Sequence, residues 1–168
     1  MFHMGSSPRS AQDGVELAPE TLETLQAATR VLAGVALRSL DVLDGAVTLP
    51  QFRMLAVLAD LGRARSVQVA RALGLEASTV TRLADRMVAA GYVARGGETR
   101  HRGVVTLELT ASGKDLVGQV ATWREQELAR IFCQLPPAGQ AQATRALRQL
   151  VEAAGDGYGM ISRGLVPV

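Results

Sequence analysis

The stretch Ser78-Thr-Val-Thr-Arg-Leu-Ala-Asp-Arg-Met-Val-Ala-Ala-Gly-Tyr-Val93 decides the fold, because it combines an amphipathic helix with a defined stop. From Ala77 to about Ala90 the apolar residues recur with the spacing of one helical face. Gly91 follows at the point where helices commonly end in a left-handed residue. The apolar face comprises Val80, Leu83, Ala84, Met87 and Val88. The opposite face carries hydroxyl and arginine side chains, which are Ser78, Thr81, Arg82 and Arg86, with Thr79 and Asp85 beside them.

The segments on either side of this helix complete a recognisable order of elements. Upstream, a short helix is predicted over Val67–Leu73, and Gly74 ends it. Downstream, Tyr92–Ala94 and Val104–Leu109 are strand candidates, joined by a polar loop that begins with Gly96-Gly97. A short helix, a turn, an amphipathic helix and a hairpin form the order of a winged helix-turn-helix, whose second helix enters the major groove of DNA. The fold class is therefore predicted to be mainly α with a small β-hairpin wing.

Long helices are predicted at both ends of the chain. Apolar stripes follow Ala18–Leu43, Gly113–Leu135 and Ala138–Ala154, which is more apolar surface than a small winged helix can cover. We therefore expect N- and C-terminal dimerisation helices that build a homodimer. The predicted organisation is a disordered leader over residues 1–17, dimerisation helices over 18–44 and 111–155, a winged helix-turn-helix domain over 45–110 and a frayed tail over 156–168.

The charges are segregated along the chain. Gly62–Gly103 contains eight arginines and three acidic residues, a net charge of +5, whereas the remaining residues carry a net charge of −3. A basic segment inside an otherwise acidic chain indicates a surface for a polyanion, and double-stranded DNA is the partner that suits a winged helix.

The counts of cysteine and histidine exclude several classes of protein. The single cysteine, Cys133, excludes an intramolecular disulfide framework, and the two histidines, His3 and His101, cannot build a multi-histidine metal centre. We expect no enzymatic activity, no catalytic residue, no metal and no cofactor. Cys133 itself is expected to pack as a small hydrophobe. No apolar run approaches the ~20 residues that span a membrane, so we expect a cytoplasmic protein without a membrane partner.

The predicted DNA contacts divide into two groups. Small hydroxyls near the start of the amphipathic helix allow close approach to bases and phosphates, and its arginines can pair bidentately with guanine. The tip of the hairpin can reach phosphates or an adjacent minor groove. The first group comprises Ser78, Thr79, Thr81, Arg82 and Arg86, and the second comprises Arg100, His101 and Arg102.

At this point the sequence resembles a known family. The motifs are Thr48-Leu-Pro-Gln-Phe-Arg-Met-Leu55, Ala70-Arg-Ala-Leu-Gly-Leu75, the stretch from Ser78 to Val93, and Leu109-Thr-Ala-Ser-Gly113. They are similar to those of the multiple-antibiotic-resistance (MarR) transcriptional regulators. The resemblance implies a homodimer with one winged helix in each subunit, bound to a pseudo-palindromic operator and usually acting as a repressor. It also implies that a small-molecule effector can release the DNA.

The resemblance implies that Ser78, Thr79, Thr81, Arg82 and Arg86 lie on the helix that meets the major groove. The sequence departs from the motifs of the family at two places. Glu76 stands where the family usually has an N-capping serine, and His101-Arg102-Gly103 stands in place of an Asp-Arg-Arg run in the wing. Arg102 therefore lacks its local acidic partner, unless Glu98 or Asp85 lies near. Since a histidine becomes cationic near pH ~6 and phosphates favour that form, DNA binding is expected to strengthen as the pH falls from about 8 to about 6.

Three other interpretations stay open at the level of sequence. A winged helix could bind a protein instead of DNA. In that case no salt-dependent affinity for DNA is expected. A metal-sensing repressor would need clustered Cys, His and carboxylate ligands. A small enzyme could use Ser112, Lys114 and Asp115, but these residues lie at a predicted helix start, where capping explains them.

Overall fold

The computed structural model describes residues 17–98 and 101–162, with side chains described over 17–97 and 105–155. Most of the predicted leader and residues 163–168 of the predicted tail lie outside this range, as do Thr99 and Arg100. The elements are α1 Pro19–Arg38, α2 Leu49–Leu61, β1 Ala64–Arg65, α3 Ser66–Leu73, α4 Ala77–Ala89, β2 Val93–Glu98, β3 His101–Leu109, α5 Ala111–Phe132 and α6 Pro137–Ser162. This arrangement confirms the predicted fold class, which is helical with a small antiparallel sheet.

The chain divides into two compact units, the first ending at Leu32 and the second beginning at Ala33. The described part of the first unit holds most of α1, and the second contains every later element. Helix α1 ends at Arg38, five residues before the predicted end, because the backbone tightens into a 3₁₀ turn over Asp41–Leu43. Asp44 then adopts a left-handed conformation with φ 46°, which stops the helical path.

A single core organises the second unit around helix α2. Phe52, Met54 and Leu55 of α2 are fully buried, and the next three residues are at most 1 % exposed. The faces of α3, α4, β3 and α5 that meet α2 contribute most of the rest of the core, which includes Val69, Leu73, Val80, Met87, Leu107, Leu116 and Val120. The apolar periodicity of the sequence therefore predicted correctly which face of α4 lies inside.

The sheet differs from the predicted two-stranded hairpin. It has three strands in the order β1-β3-β2, and β1 pairs Ala64 with Leu107 and Arg65 with Thr106. Strand β1 was missed because two residues carry too little periodicity to signal a strand. The hairpin strands are also longer than predicted: β2 continues through Gly96-Gly97 to Glu98, and β3 begins at His101. The predicted loop between Gly96 and Gly103 is thus mostly paired strand.

The junction between the wing and α5 explains the Leu109-Thr-Ala-Ser-Gly113 motif. Thr110 is the N-cap of α5; its Oγ1 accepts a hydrogen bond from the Gly113 backbone N–H at 3.1 Å and donates one to the Gly91 carbonyl at 2.7 Å. A side chain at position 113 would collide with the Tyr92 carbonyl oxygen, so only glycine fits this close approach. Thr110, and not Ser112, therefore caps the helix.

The C-terminal helices follow the predicted order with one difference at the end. Residues 133–136 separate α5 from α6, and Pro137 is the first residue of α6. Gly155 has non-helical angles (φ 59°, ψ −168°) and divides α6, which then resumes as helix to Ser162. Residues 156–162 are therefore helical, although a frayed tail was predicted from residue 156. Within the described ranges, no helix is long and apolar enough to cross a membrane.

Candidate nucleic-acid interface

Helix α4 is held by one face and leaves the other free. Its apolar residues Val80, Leu83, Ala84 and Met87 are at most 8 % exposed, whereas its polar residues face solvent. Ser78, Thr81, Arg82 and Arg86 are exposed, and Thr79 is half-buried beside them. All five predicted α4 residues thus share one outward surface. Their contact with DNA stays a prediction.

The start of α4 is suited to a close approach by a ligand. Glu76 occupies the N-cap position, but its side chain makes no capping hydrogen bond. Thr81 donates its hydroxyl to the Ala77 carbonyl at 3.0 Å, which leaves the lone pairs of its Oγ1 available as acceptors. The first turn therefore presents small side chains and backbone N–H groups without a bulky cap over them.

The two arginines of α4 are exposed to solvent. Among the described residues, neither Arg82 nor Arg86 has a hydrogen-bond or ion-pair partner. The acid between them, Asp85, accepts instead from Arg95 of β2, with Nη2 and Oδ1 2.5 Å apart. This ion pair neutralises Asp85, the acidic residue between Arg82 and Arg86, and joins the helix to the wing. Asp85 is therefore the partner of Arg95. The side chain of Arg102 lies outside the described residues, so the suggestion that Asp85 or Glu98 supplies its acidic partner stays a prediction.

Besides Arg95, Arg63 also makes contacts with the wing. Its Nε donates to Thr106 Oγ1 at 3.0 Å, and its Nη2 donates to the Gly97 carbonyl at 3.0 Å. In the sequence, Arg63 and Arg95 counted only as charges, and none of their three contacts was predicted. The available signal was Gly96-Gly97, because consecutive glycines in a strand mark a close approach by another group.

The predicted contacts at the tip of the hairpin lie at the edge of what the structure describes. Arg100 falls outside the described residues, and only the backbone of His101 and Arg102 is described. His101 opens β3 and is paired in register with Glu98. The DNA contacts of these three residues and the pH dependence assigned to His101 stay predictions.

A buried arginine joins three helices of the second unit. Arg124 of α5 is 5 % exposed; its Nε donates to Ser39 Oγ at 2.7 Å, and its guanidinium lies 5.5 Å from the Phe52 ring centroid. Burial lowers the pKa of Arg124 below its ordinary value. Nη2 also reaches the Ala36 carbonyl at 3.3 Å, in the last turns of α1, where the helix dipole favours a cation. Arg124 thus secures the end of α1 to α2 and α5.

Two predictions about reactive groups have different outcomes. Cys133 is exposed at the C-cap of α5, so its expected packing as a buried hydrophobe is wrong. The buried stripe of α5 stops well before it, at Val120 and the buried Arg124. Over the parts of the chain that are described, no three His, Cys, Asp or Glu side chains lie close enough to hold a metal ion.

Comparisons with known proteins identify relatives of this chain. A model of the MarR family matches residues 47–103, which is nearly the whole of the predicted winged helix-turn-helix domain. The HTH-type transcriptional repressor MdtR of Bacillus subtilis is 31 % identical over 108 residues, which cover 64 % of this chain and 70 % of MdtR.

Solved structures with the same fold cover most of the chain. RV1404 from Mycobacterium tuberculosis is 33 % identical with a TM-score of 0.76, and the match covers 84 % of this chain and 97 % of RV1404. A mutant of MepR from S. aureus, bound to an oligodeoxyribonucleotide, is 19 % identical with a TM-score of 0.63. That match covers 83 % of this chain and 99 % of MepR, and at this identity it shows the shared fold.

Proposed function

Because this chain belongs to the MarR family of DNA-binding transcriptional regulators, we propose that it is a homodimeric repressor that binds a pseudo-palindromic operator. The observation that carries the proposal is the outward face of α4. There, hydroxyls and two arginines that are unpaired among the described residues stand over a fully packed apolar face. A helix held in this way can enter the major groove without giving up core contacts.

In this proposal the residues of α4 have separate roles. Ser78 and Thr79, in the first turn, approach bases and phosphates closely because their side chains are short. Arg82 lies one turn further along and donates two hydrogen bonds to a guanine edge. Arg86, another turn on, neutralises a phosphate and fixes the register of the helix. Since Arg95 already neutralises Asp85, the acid does not repel the DNA backbone.

In the proposed dimer, the second DNA-reading helix is the α4 of a second copy of the chain. Leu32 on α1 is 50 % exposed, and Leu150 and Val151 on α6 are 53 % and 71 % exposed. Apolar side chains that recur along helices at this exposure favour burial against a partner. A two-fold dimer also places two α4 helices about one helical turn of DNA apart, which a symmetric operator requires.

The proposed repressor role also rests on membership of the MarR family. MdtR is named a transcriptional repressor, and a mutant of MepR is bound to an oligodeoxyribonucleotide; each statement belongs to that protein. We extend both to this chain because it is similar to MdtR in sequence and shares the fold of MepR. A dimer seated on an operator within a promoter would exclude RNA polymerase. We also propose that the protein acts in the cytoplasm, because the relatives named above come from bacteria, whose DNA lies in that compartment.

We also propose that a small effector binds the cleft between α2, β3 and α5. The cleft has a volume of about 460 Å³, within the range of small-molecule sites, about 300–1,000 Å³. Its walls include Leu58, Leu109 and Val117, and its charged groups are Arg63, Glu108 and Lys114. An aliphatic carboxylate matches this combination. Octanoate is therefore expected to raise the melting temperature and to weaken DNA binding, and Lys114→Gln should reduce both effects.

Sedimentation equilibrium tests the dimer. The expected mass is twice the chain mass of 17.7 kDa. Val151→Glu, which places a charge in the proposed interface, should yield monomers, whereas Gln149→Glu adds the same charge beside it and should leave the dimer intact. A monomeric wild-type protein at micromolar concentration would contradict the proposal.

DNA affinity at several salt concentrations tests the partner. The logarithm of the affinity should fall linearly with the logarithm of salt concentration, because each phosphate contact releases counterions. Arg82→Ala should weaken binding, while Arg145→Ala, on α6 outside the basic segment, should not. An affinity that is independent of salt would favour the alternative interpretation, a winged helix that binds protein.

A further inference from the structure

Arg63 occupies the segment that connects the helical core to the wing. Helix α2 ends at Leu61, and Gly62 turns the chain with φ 65° and ψ −135°, a conformation that suits glycine. The next residues enter the sheet as β1, which pairs with β3 at Leu107 and Thr106. Arg63 therefore starts from the β1 side of the sheet, one residue before the pairing begins.

The side chain of Arg63 crosses β3 and reaches the far strand of the sheet. On the way, Nε donates to the hydroxyl of Thr106, whose side chain is buried within β3. At the end, Nη2 donates to the carbonyl of Gly97 in β2. Since the strand order is β1-β3-β2, this one side chain ties all three strands together from one face.

We call the Arg63 side chain, bonded to Thr106 and Gly97, the strap. The two glycines of β2 differ in how closely they approach it. A Cβ at Gly96 would lie 2.5 Å from Arg63 Nη2 and 3.0 Å from Thr106 Oγ1, so a side chain there would displace the guanidinium. A Cβ at Gly97 would meet nothing within 4 Å. The absence of a side chain at position 96, and not at position 97, is thus what lets Arg63 lie across the sheet.

The strap is attached where the hairpin changes register. The β2–β3 pairing is regular from Val93 to Gly97 and shifts between Gly97 and Glu98. Such an irregularity bends a strand and re-aims the residues beyond it. Gly97, whose carbonyl accepts the hydrogen bond from Arg63, is therefore the last residue of β2 before the shift in register.

We propose that Arg63 is a positioning residue that sets the direction of the wing and thereby its contact with DNA. This inference rests on the proposed function, since it assumes that the wing touches DNA. The competing role for Arg63 is a direct phosphate contact, because it is an exposed cation in the basic segment. Gly96→Ala separates the two roles, since it disturbs the strap without changing any charge.

The experiment compares four variants on one operator duplex obtained by selection with the wild-type protein. Arg63→Ala and Gly96→Ala should each weaken binding about tenfold, the loss expected when hydrogen bonds from a charged group are removed. The double variant should also lose about tenfold and not about a hundredfold, since both substitutions break the same contact. Gly97→Ala is the matched control and should bind within about twofold of wild type.

Two further measurements identify the wing as the affected part. The slope of affinity against salt should fall equally in Arg63→Ala and Gly96→Ala, because both lose the phosphate contacts of the tip. Without DNA, the amides of Val93–Glu98 should exchange faster with solvent in both variants, while those of α4, Ala77–Ala89, keep the wild-type rate.

Wild-type affinity in Gly96→Ala would overturn the proposal, as would additive losses in the double variant. Equal damage from Gly97→Ala would also overturn it. A wild-type protein that binds no DNA in a salt-dependent manner would contradict the proposed function, and the exchange rates of Val93–Glu98 would still decide whether Arg63 holds the wing.

Discussion

Helix α4 and the β2–β3 hairpin are held to the same domain by different forces. Four buried apolar side chains fix α4 against the core. In the hairpin, Leu107 and Leu109 of β3 reach the core, whereas the outer part of β2, residues 95–97, is secured by polar contacts, from Arg63 to Thr106 and Gly97 and from Arg95 to Asp85. Apolar packing resists salt and solvent, whereas exposed polar contacts are weaker and depend on both. The two parts of the proposed DNA-binding surface are therefore held by interactions of different strength.

The largest effect should follow from weakening the packing of α4. Met87 is 2 % exposed, so Met87→Ala leaves a cavity under the helix. The free energy of unfolding should fall by about 2–5 kcal/mol, as for other large-to-small substitutions in cores. Urea unfolding measures this loss. Met87→Leu conserves volume and should lose less than ~1.5 kcal/mol; equal losses in both variants would mean that packing does not hold α4.

The next effect should appear in DNA binding alone. Arg82 is exposed and unpaired among the described residues, so Arg82→Ala should change the stability by less than ~0.5 kcal/mol. The affinity for the preferred site should fall by about 1–3 kcal/mol, with relaxed preference at one base pair. Competition binding against single-base variants of the site measures both quantities. An unchanged affinity would show that α4 does not read the major groove.

A matching test of the wing concerns Arg100, whose predicted role is a phosphate contact. Arg100→Ala should weaken binding to all sequences alike and reduce the salt slope by about one unit. Affinities for the preferred site and for a scrambled duplex, each measured at several salt concentrations, give the result. A loss confined to the preferred site would assign Arg100 to base reading and would remove the division of labour between helix and wing.

The junction between wing and α5 should show a smaller effect on stability. Thr110 caps α5 and also bonds to the Gly91 carbonyl, so Thr110→Ala should cost about 0.5–2 kcal/mol. Ser112→Ala is the control, since Ser112 is exposed two residues further on and does not cap the helix. Thermal unfolding compares the two, and a greater loss in Ser112→Ala would contradict the assigned cap.

The smallest effect should come from the ion pair that joins α4 to the wing. The side chains of Arg95 and Asp85 are 40 % and 55 % exposed, so their coupling should be about 0.2–1 kcal/mol and should decrease with salt. A double-mutant cycle with Arg95→Gln and Asp85→Asn measures the coupling. A coupling that does not change between low and high salt would mean that the pair is shielded from solvent and holds the wing more firmly than its exposure indicates.

The same contrast explains what could be predicted from the sequence. Apolar residues at helical spacing identified the inward face of α4, and with it the outward position of Ser78, Thr81, Arg82 and Arg86. Periodicity is informative here because burial acts on every turn of a helix. The order of elements and the family motifs then gave the winged fold.

Contacts between residues far apart in the chain could not be predicted. Arg63 and Thr106 are 43 positions apart, and Ser39 and Arg124 are 85 apart, so no local pattern links them. Arg124 was also hidden because a buried arginine interrupts an apolar stripe and is indistinguishable in sequence from an exposed one. Strand β1 exists only because β3 provides a partner for two residues. Each of these features depends on tertiary pairing, which one sequence does not report.

Selection of binding sites from random double-stranded DNA tests the central claim most directly. The purified protein should enrich a two-fold symmetric consensus whose half-sites are centred about 10 base pairs, one helical turn, apart. Arg82→Ala, carried through the same selection, should lose preference at a symmetric pair of positions and keep the spacing. No enrichment, or enrichment of a sequence without two-fold symmetry, would contradict the account of a dimer that reads DNA with α4.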